Sequence, residues 1–135
     1  MYFKLSVCVA LCLFVPSILG MSDEMQELID MLHKTCMTQS GADDALITKA
    51  QKGDFTDDGN LKCYMKCLMS EMSTISDDGE IDVEAAIAIL PEDQKVKMEP
   101  TIRKCGTQKG ADACDNAFLT FKCYYDNSPA DFFLP

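Results

Sequence analysis

The chain has 135 residues, the size of a single domain, and its 22 acidic and 12 basic residues give a net charge of −10. An acidic surface is repelled by nucleic-acid phosphates and anionic lipid head groups, so we expect neither nucleic acid nor a membrane surface as a partner. The single histidine, His33, lies in no catalytic motif, and we therefore expect neither an enzyme nor a cofactor.

Residues 1–20 have the pattern of a secretory signal peptide. Lys4 supplies a positive charge, residues 5–15 form an almost unbroken apolar run, and a short segment with small residues follows up to Gly20. The run is too short to span a bilayer, and nothing basic follows it as a stop-transfer signal, which disfavours a retained membrane anchor. We expect cleavage after Gly20, leaving one secreted domain at 21–135 that ends in a tail at 128–135.

Helical periodicity recurs along the rest of the chain, and strand signals are nearly absent, so the predicted fold class is all-α. Gly53 and Pro91 are expected to end the second and fourth helices. Pro100 lies inside the fifth pattern, which it must kink or split because proline removes a backbone donor. The six predicted helices are one that begins near Ser22 and others at about 43–52, 60–72, 82–90, 92–104 and 111–125.

Six cysteines remain once the predicted signal peptide is removed, and in an oxidising compartment they are expected to form three disulfides. Cys63 and Cys67 stand one turn apart on one helix face, and Cys114 and Cys123 lie too far apart along another helix, so neither of these two pairs can bond. Several other pairings stay open. The six are Cys36, Cys63, Cys67, Cys105, Cys114 and Cys123.

The cysteine spacing C-x26-C-x3-C-x37-C-x8-C-x8-C resembles that of the insect odorant-binding proteins, in particular the six-cysteine members that include pheromone-binding proteins. The resemblance implies six short helices around an apolar cavity, and reversible carriage of a small apolar ligand such as an odorant or pheromone. Pro100 is a departure from the family pattern. The implied disulfides are Cys36–Cys67, Cys63–Cys114 and Cys105–Cys123.

Candidate pocket residues come from the apolar helix stripes and from the tail. Phe118, Phe121 and Tyr125 are expected to form an aromatic wall, and Thr74 and Tyr125 to offer polar contacts to a ligand. The apolar tail is expected to fold back as a lid or plug, the alternative being a frayed end. The full set is Leu32, Leu68, Met69, Met72, Thr74, Ile87, Leu90, Met98, Ile102, Phe118, Phe121, Tyr125, Phe132, Phe133 and Leu134.

Two metal interpretations are disfavoured, and we expect no metal site. Zinc ligation by His33, Cys36, Cys63 and Cys67 would need thiolates that a secreted protein normally consumes as disulfides. The acidic turn that begins at Asp54 resembles a calcium loop, but its closing position is a methionine where a bidentate glutamate is required, and the turn around Gly79 fails in the same way.

Several alternatives stay open at this point. His33 is either a partly exposed surface histidine or a pH switch for ligand release. The chain is either the carrier that the resemblance implies or a secreted helical interaction factor with a filled core. Within the carrier hypothesis, a non-olfactory role competes with an olfactory role in sensillar lymph. A membrane chemoreceptor and a second copy of the chain are the macromolecular partners to consider.

Overall fold

The computed structural model describes residues 22–135, so the predicted signal peptide lies outside the described residues. These residues form six helices and, apart from an isolated antiparallel bridge between Ile75 and Ile81, no β-structure. The all-α prediction with three disulfides is confirmed. The helices are α1 (Asp23–Ser40), α2 (Asp44–Gln51), α3 (Gly59–Glu71), α4 (Val83–Ala88), α5 (Glu92–Cys105) and α6 (Ala113–Asn127).

Short polar side chains determine where five of the helices begin. Each accepts a hydrogen bond from a backbone N–H in the first turn of its helix, where no intrahelical partner exists. The acidic turn near Asp58 therefore serves as a helix cap. Capping by Asp112 also explains why α6 begins two residues later than predicted. The five caps are Ser22, Asp43, Asp58, Asp82 and Asp112.

Pro100 does not split α5, which continues through it as one helix to Cys105. The proline is exposed, whereas Met98, Thr101 and Ile102 of the same helix are buried. The backbone N–H that Pro100 lacks is therefore missing on the solvent side of α5, and the buried side chains on the opposite side of the helix hold it in place. The predicted alternative of two separate helices is wrong.

Three disulfides connect four helices in series. Cys36–Cys67 joins α1 to α3, Cys63–Cys114 joins α3 to α6, and Cys105–Cys123 joins the end of α5 to α6. These are the pairs that the family pattern implied. The most extensive helix contact is between α3 and α6, followed by that between α1 and α3. Helices α3 and α6 therefore form the centre of the domain.

The core lies around α3, whose inner residues are inaccessible to solvent: Leu61, Tyr64, Met65 and Leu68. On α1 only Leu32 and Cys36 are buried, and Leu28 of its predicted apolar stripe is 46% exposed. Within residues 22–135, only the C-terminal half of α1 therefore packs against the rest of the domain.

A charged contact accompanies the α3–α6 disulfide. The Lys62 ammonium lies 2.8 Å from a carboxylate oxygen of Asp57 and 3.0 Å from one of Asp115. The Asp115 carboxylate also accepts a hydrogen bond from the backbone N–H of Ala111 at 2.8 Å. This backbone bond first, and Lys62 second, hold the pKa of Asp115 below its ordinary value.

Replacing Asp115 by Asn tests this contact. Because the folded state lowers the pKa of Asp115, its stabilisation is present above the unfolded-state pKa and is lost as the pH falls. We expect Asp115→Asn to lower the free energy of unfolding by about 0.5–1 kcal/mol at pH 7 and by little at pH 3, measured by urea denaturation. Asp126→Asn, which affects an exposed pair with Lys122, is the control. An equal loss at both pH values would contradict the assignment.

Candidate ligand-binding site

Five aromatic side chains meet beside α6, and we call them the aromatic cluster: Phe55, Phe118, Phe121, Tyr125 and Phe132. Three of them are the predicted wall on α6, while Phe55 comes from the α2–α3 loop and Phe132 from the tail. Ring centroids are 5.7 Å apart for Phe55–Phe118 and 5.4 Å apart for Tyr125–Phe132, with the rings near perpendicular. Such edge-to-face contacts are a favoured packing of aromatic rings.

Gly53 allows this arrangement at the end of α2. Its φ of +93° lies in the region that favours glycine, and the Tyr125 ring stands against it. A Cβ at this position would lie 2.1 Å from Cζ of Tyr125, closer than atoms can approach. Glycine therefore lets the loop that carries Phe55 pass directly over α6.

The tail closes the aromatic cluster from the outside. Phe132 packs against Phe55, Phe121 and Tyr125, and the Leu134 side chain is only 2% exposed. Phe133, also predicted to line the pocket, is 56% exposed and takes no part in the aromatic contacts, whereas Leu134 and Pro135 after it are buried.

Hydrogen bonds from two helices hold the end of the tail. The Tyr64 hydroxyl donates to the carbonyl oxygen of Pro135 at 2.6 Å, and the Gln51 amide donates to that of Leu134 at 3.2 Å. Burial, and next the charge of Asp44, raises the pKa of Tyr64 well above its ordinary value. The Tyr64 hydroxyl therefore keeps the proton that it donates.

His33 extends this contact to a third helix. Its Nδ1 lies 2.9 Å from the Tyr64 hydroxyl and its Nε2 lies 3.0 Å from Oδ1 of Asp44. Three contacts join Asp44, His33, Tyr64 and Pro135, and each needs one proton. The Tyr64 hydroxyl and a neutral imidazole have one N–H or O–H proton each, and a protonated imidazole adds the third. Protonation of His33 thus completes the hydrogen bonds between Asp44 and Pro135. The histidine is half-buried and bonded on both sides.

The remaining predicted pocket residues lie in or beside the core. The buried ones are Leu32, Leu68, Met69, Thr74, Ile87, Met98, Ile102, Phe118 and Phe121, and the half-buried ones are Met72, Leu90 and Tyr125. The Thr74 hydroxyl already donates to the carbonyl oxygen of Met69, so it is not a free polar contact. Cys36, Cys63 and Cys67 are consumed as disulfides and cannot supply zinc thiolates.

Two depressions of about 410 Å³ each lie at the surface of the described domain. One is lined by residues of α1 that include Met31, and the other by the turn between Ser73 and Asp82. Both are open to solvent, and neither is lined by the aromatic cluster. Six side chains of α3 and α6 have no exposed surface: Leu61, Tyr64, Met65, Leu68, Ala117 and Thr120.

Tyr124 is the functional candidate that the sequence did not single out. Its side chain is buried against Phe121, with ring centroids 5.9 Å apart, and its hydroxyl has no hydrogen-bond partner. Burial raises the pKa of Tyr124 to about 12. The periodicity favoured Tyr125, four residues after Phe121, but Tyr124 is three residues after Phe121 and shares the same wide buried side of α6.

A disulfide-linked six-helix domain with an aromatic interior closed by its own tail defines a class of small helical ligand carriers. The PBP/GOBP family model matches residues 20–127, and the chain therefore belongs to the PBP/GOBP family. Membership of this odorant-binding family supports a small-ligand carrier role. No helix in the described part of the chain is long and apolar enough to cross a membrane.

Individual relatives have similar sequences and folds. General odorant-binding protein 69a of Drosophila melanogaster is 34% identical over 69% of this chain, and the match spans 64% of that relative, less than two thirds of its length. Odorant binding protein 4 of Chrysopa pallens is 28% identical, with a TM-score of 0.77 over 87% of this chain and 100% of that one. Odorant binding protein 7 of Anopheles gambiae, solved with an azo compound, is 27% identical, with a TM-score of 0.71 over 80% of this chain and 89% of that one.

Replacing Tyr64 by Phe tests how the tail is held. The change leaves the Pro135 carbonyl without its donor, so we expect the free energy of unfolding to fall by about 1–3 kcal/mol and chymotrypsin to cleave the tail faster. Urea denaturation and limited proteolysis measure the two effects. Tyr124→Phe is the matched control, since it removes a hydroxyl that has no partner and should leave stability unchanged or raised. Equal losses in both variants would contradict the assignment.

Proposed function

We propose that the protein is an extracellular carrier that binds a small apolar molecule reversibly in its interior, next to the aromatic cluster. The observation that carries the proposal is the closure of that cluster by the tail. Aromatic side chains from a helix, a loop and a chain segment outside the helices meet at one place, so withdrawal of the tail alone opens an apolar surface. Ligand sites in proteins are typically apolar and lined by aromatic side chains.

The tail is suited to act as a displaceable plug. Residues 128–135 follow the last disulfide cysteine, Cys123, so they can move without breaking a covalent restraint. Their side chains Phe132 and Leu134 are apolar, so an apolar guest can replace their packing contacts. Withdrawal of the tail also breaks the hydrogen bonds from Tyr64 to Pro135 and from Gln51 to Leu134, and the buried Tyr64 hydroxyl then has His33 as its partner.

The expected affinity follows from the size of the guest. Burying about 300 Å² of apolar surface at ~25 cal/mol/Å² contributes roughly 7 kcal/mol, which is partly offset by the loss of translational and rotational freedom. A micromolar dissociation constant corresponds to about 8 kcal/mol, so burial of this size alone gives binding weaker than micromolar, and tighter binding requires a larger buried area or polar contacts in addition. We further propose that residues 1–20 direct secretion and are removed, and that odorants, pheromones or similar hydrophobic compounds are the guests. The Anopheles gambiae relative, which was solved in complex with an azo compound, supports a small organic guest.

One observation favours a second candidate function. Six side chains of α3 and α6 have no exposed surface, and the two depressions described above lie open at the surface of the domain, which also suits a secreted helical interaction factor that binds another protein through its surface. The two candidates differ in one measurable property. A carrier takes up a fluorescent apolar probe in a one-to-one ratio and releases it to competitors, whereas an interaction factor takes up none across a broad panel.

Two substitutions in the tail test the carrier proposal. Phe132→Ala removes an inward ring that closes the aromatic cluster, so we expect uptake of the probe phenylnaphthylamine to become several-fold faster in stopped-flow fluorescence. Phe133→Ala removes the neighbouring exposed ring and should leave the uptake rate unchanged. Failure of the unaltered protein to bind any probe would refute the carrier, and equal rates in both variants would refute the role of the tail as a plug.

A further inference from the structure

Tyr124 carries a polar group that the folded chain does not satisfy. Its side chain is only 8% exposed, and its hydroxyl is the single buried side-chain oxygen or nitrogen without a hydrogen-bond partner in residues 22–135. Burying a hydroxyl without a partner costs about 1–3 kcal/mol. Phenylalanine would fill nearly the same space without this penalty.

The other buried polar side chains of the same region are all satisfied. The Asn116 amide donates to the carbonyl oxygen of Gly79, and the Thr120 hydroxyl accepts from the backbone N–H of Gln108. The Thr101 hydroxyl pairs with that of Ser128. Because α6 and its neighbours pair each of these groups, the unpartnered hydroxyl of Tyr124 stands out as a specific feature of its position.

Tyr124 also lies next to the proposed binding region. Its ring is in edge contact with Phe121, and Phe121 in turn contacts Phe132 of the tail at 6.4 Å between centroids. A guest that replaces the Phe132 ring would therefore reach Phe121, one ring away from the Tyr124 side chain. Its apolar part would lie on the aromatic cluster and a polar end could meet the hydroxyl.

We propose that the Tyr124 hydroxyl is the polar contact of the bound guest, and that the guest is a neutral apolar molecule with one oxygen function, such as an alcohol, aldehyde, ketone or ester. The assignment rests on the proposed carrier function and adds the chemical class of its ligand. A phenolic hydroxyl both donates and accepts, so it pairs with an alcohol in either direction and donates to a carbonyl oxygen.

The surroundings of Tyr124 disfavour a carboxylate guest. Burial alone raises the pKa of Tyr124, with no contribution from a charged neighbour. The basic side chains of the adjoining helix ends are already engaged, Lys104 with Asn127 and Lys122 with Asp126, and both are exposed. Lys62 lies over the Phe118 ring, 5.2 Å from its centroid, but its ammonium is already paired with Asp57 and Asp115. A buried carboxylate would therefore have to compete with these partners for a positive charge, which makes its transfer from water unfavourable.

A matched ligand series on one carbon skeleton tests the proposal. Limonene, perillyl alcohol, perillaldehyde and perillic acid differ only in the group on one carbon. Each competes with phenylnaphthylamine for the full chain and for Tyr124→Phe. We expect perillyl alcohol and perillaldehyde to bind the unaltered protein about fivefold more tightly than they bind Tyr124→Phe, a ratio that corresponds to about 1 kcal/mol. Limonene should bind both proteins equally, which also shows that the variant is folded.

Tyr125→Phe tests the competing polar group, the hydroxyl of the half-buried ring within the aromatic cluster, and Thr38→Ala, which removes an exposed hydroxyl of α1 outside the cluster, is the control that should leave all affinities unchanged. The proposal is overturned if limonene and perillyl alcohol compete equally with the probe, if neither competes, or if Tyr125→Phe alone removes the preference. Perillic acid binding more tightly than perillyl alcohol at pH 7 would overturn the neutral class. Failure of the probe itself to bind would instead remove the carrier function, and the assignment with it.

Discussion

The Cys63–Cys114 bond between α3 and α6 is the restraint on which the rest of the domain depends. These two helices form the most extensive contact in the domain, and each is tied to a further helix, α3 to α1 and α6 to α5, by the other two disulfides. Disulfides typically contribute about 2–4 kcal/mol each, by a mechanism that is debated. A domain braced in this way retains its helix arrangement while a segment outside the crosslinks exchanges its contacts with a guest.

The two buried tyrosines differ in what their hydroxyls contact. The Tyr64 hydroxyl, on the inner side of α3, is engaged by His33 and Pro135 and so joins the tail to α1. The Tyr124 hydroxyl, on α6, is buried to a similar degree but pairs with nothing. The first stabilises the closed chain, and the second is a polar group whose partner would have to come from outside it. A buried hydroxyl without a partner in the chain is the kind of group that would make a carrier prefer oxygenated guests to hydrocarbons.

Much of the architecture could be predicted from the sequence because its signals are local. Boundary residues such as Ser22, Gly53 and Pro91, together with apolar periodicity, located the helices approximately, and the cysteine spacing indicated the family. The contacts of the tail could not be predicted, because Tyr64 lies 31 residues from His33 and 71 from Pro135, and no local pattern records that they meet. The exposure of Phe133 beside the buried Leu134 could not be predicted either, because composition indicates an apolar segment but does not indicate which of its side chains are buried.

A guest bound as proposed lies against the aromatic cluster and displaces the tail. Nuclear Overhauser effects between protons of bound limonene and protein protons would detect this arrangement. We expect contacts from limonene to the rings of Phe55, Phe118 and Phe121, together with loss of the contacts of Phe132 with Phe55 and Phe121. Limonene contacts confined to the exposed residues of α1, with the tail contacts unchanged, would contradict this arrangement.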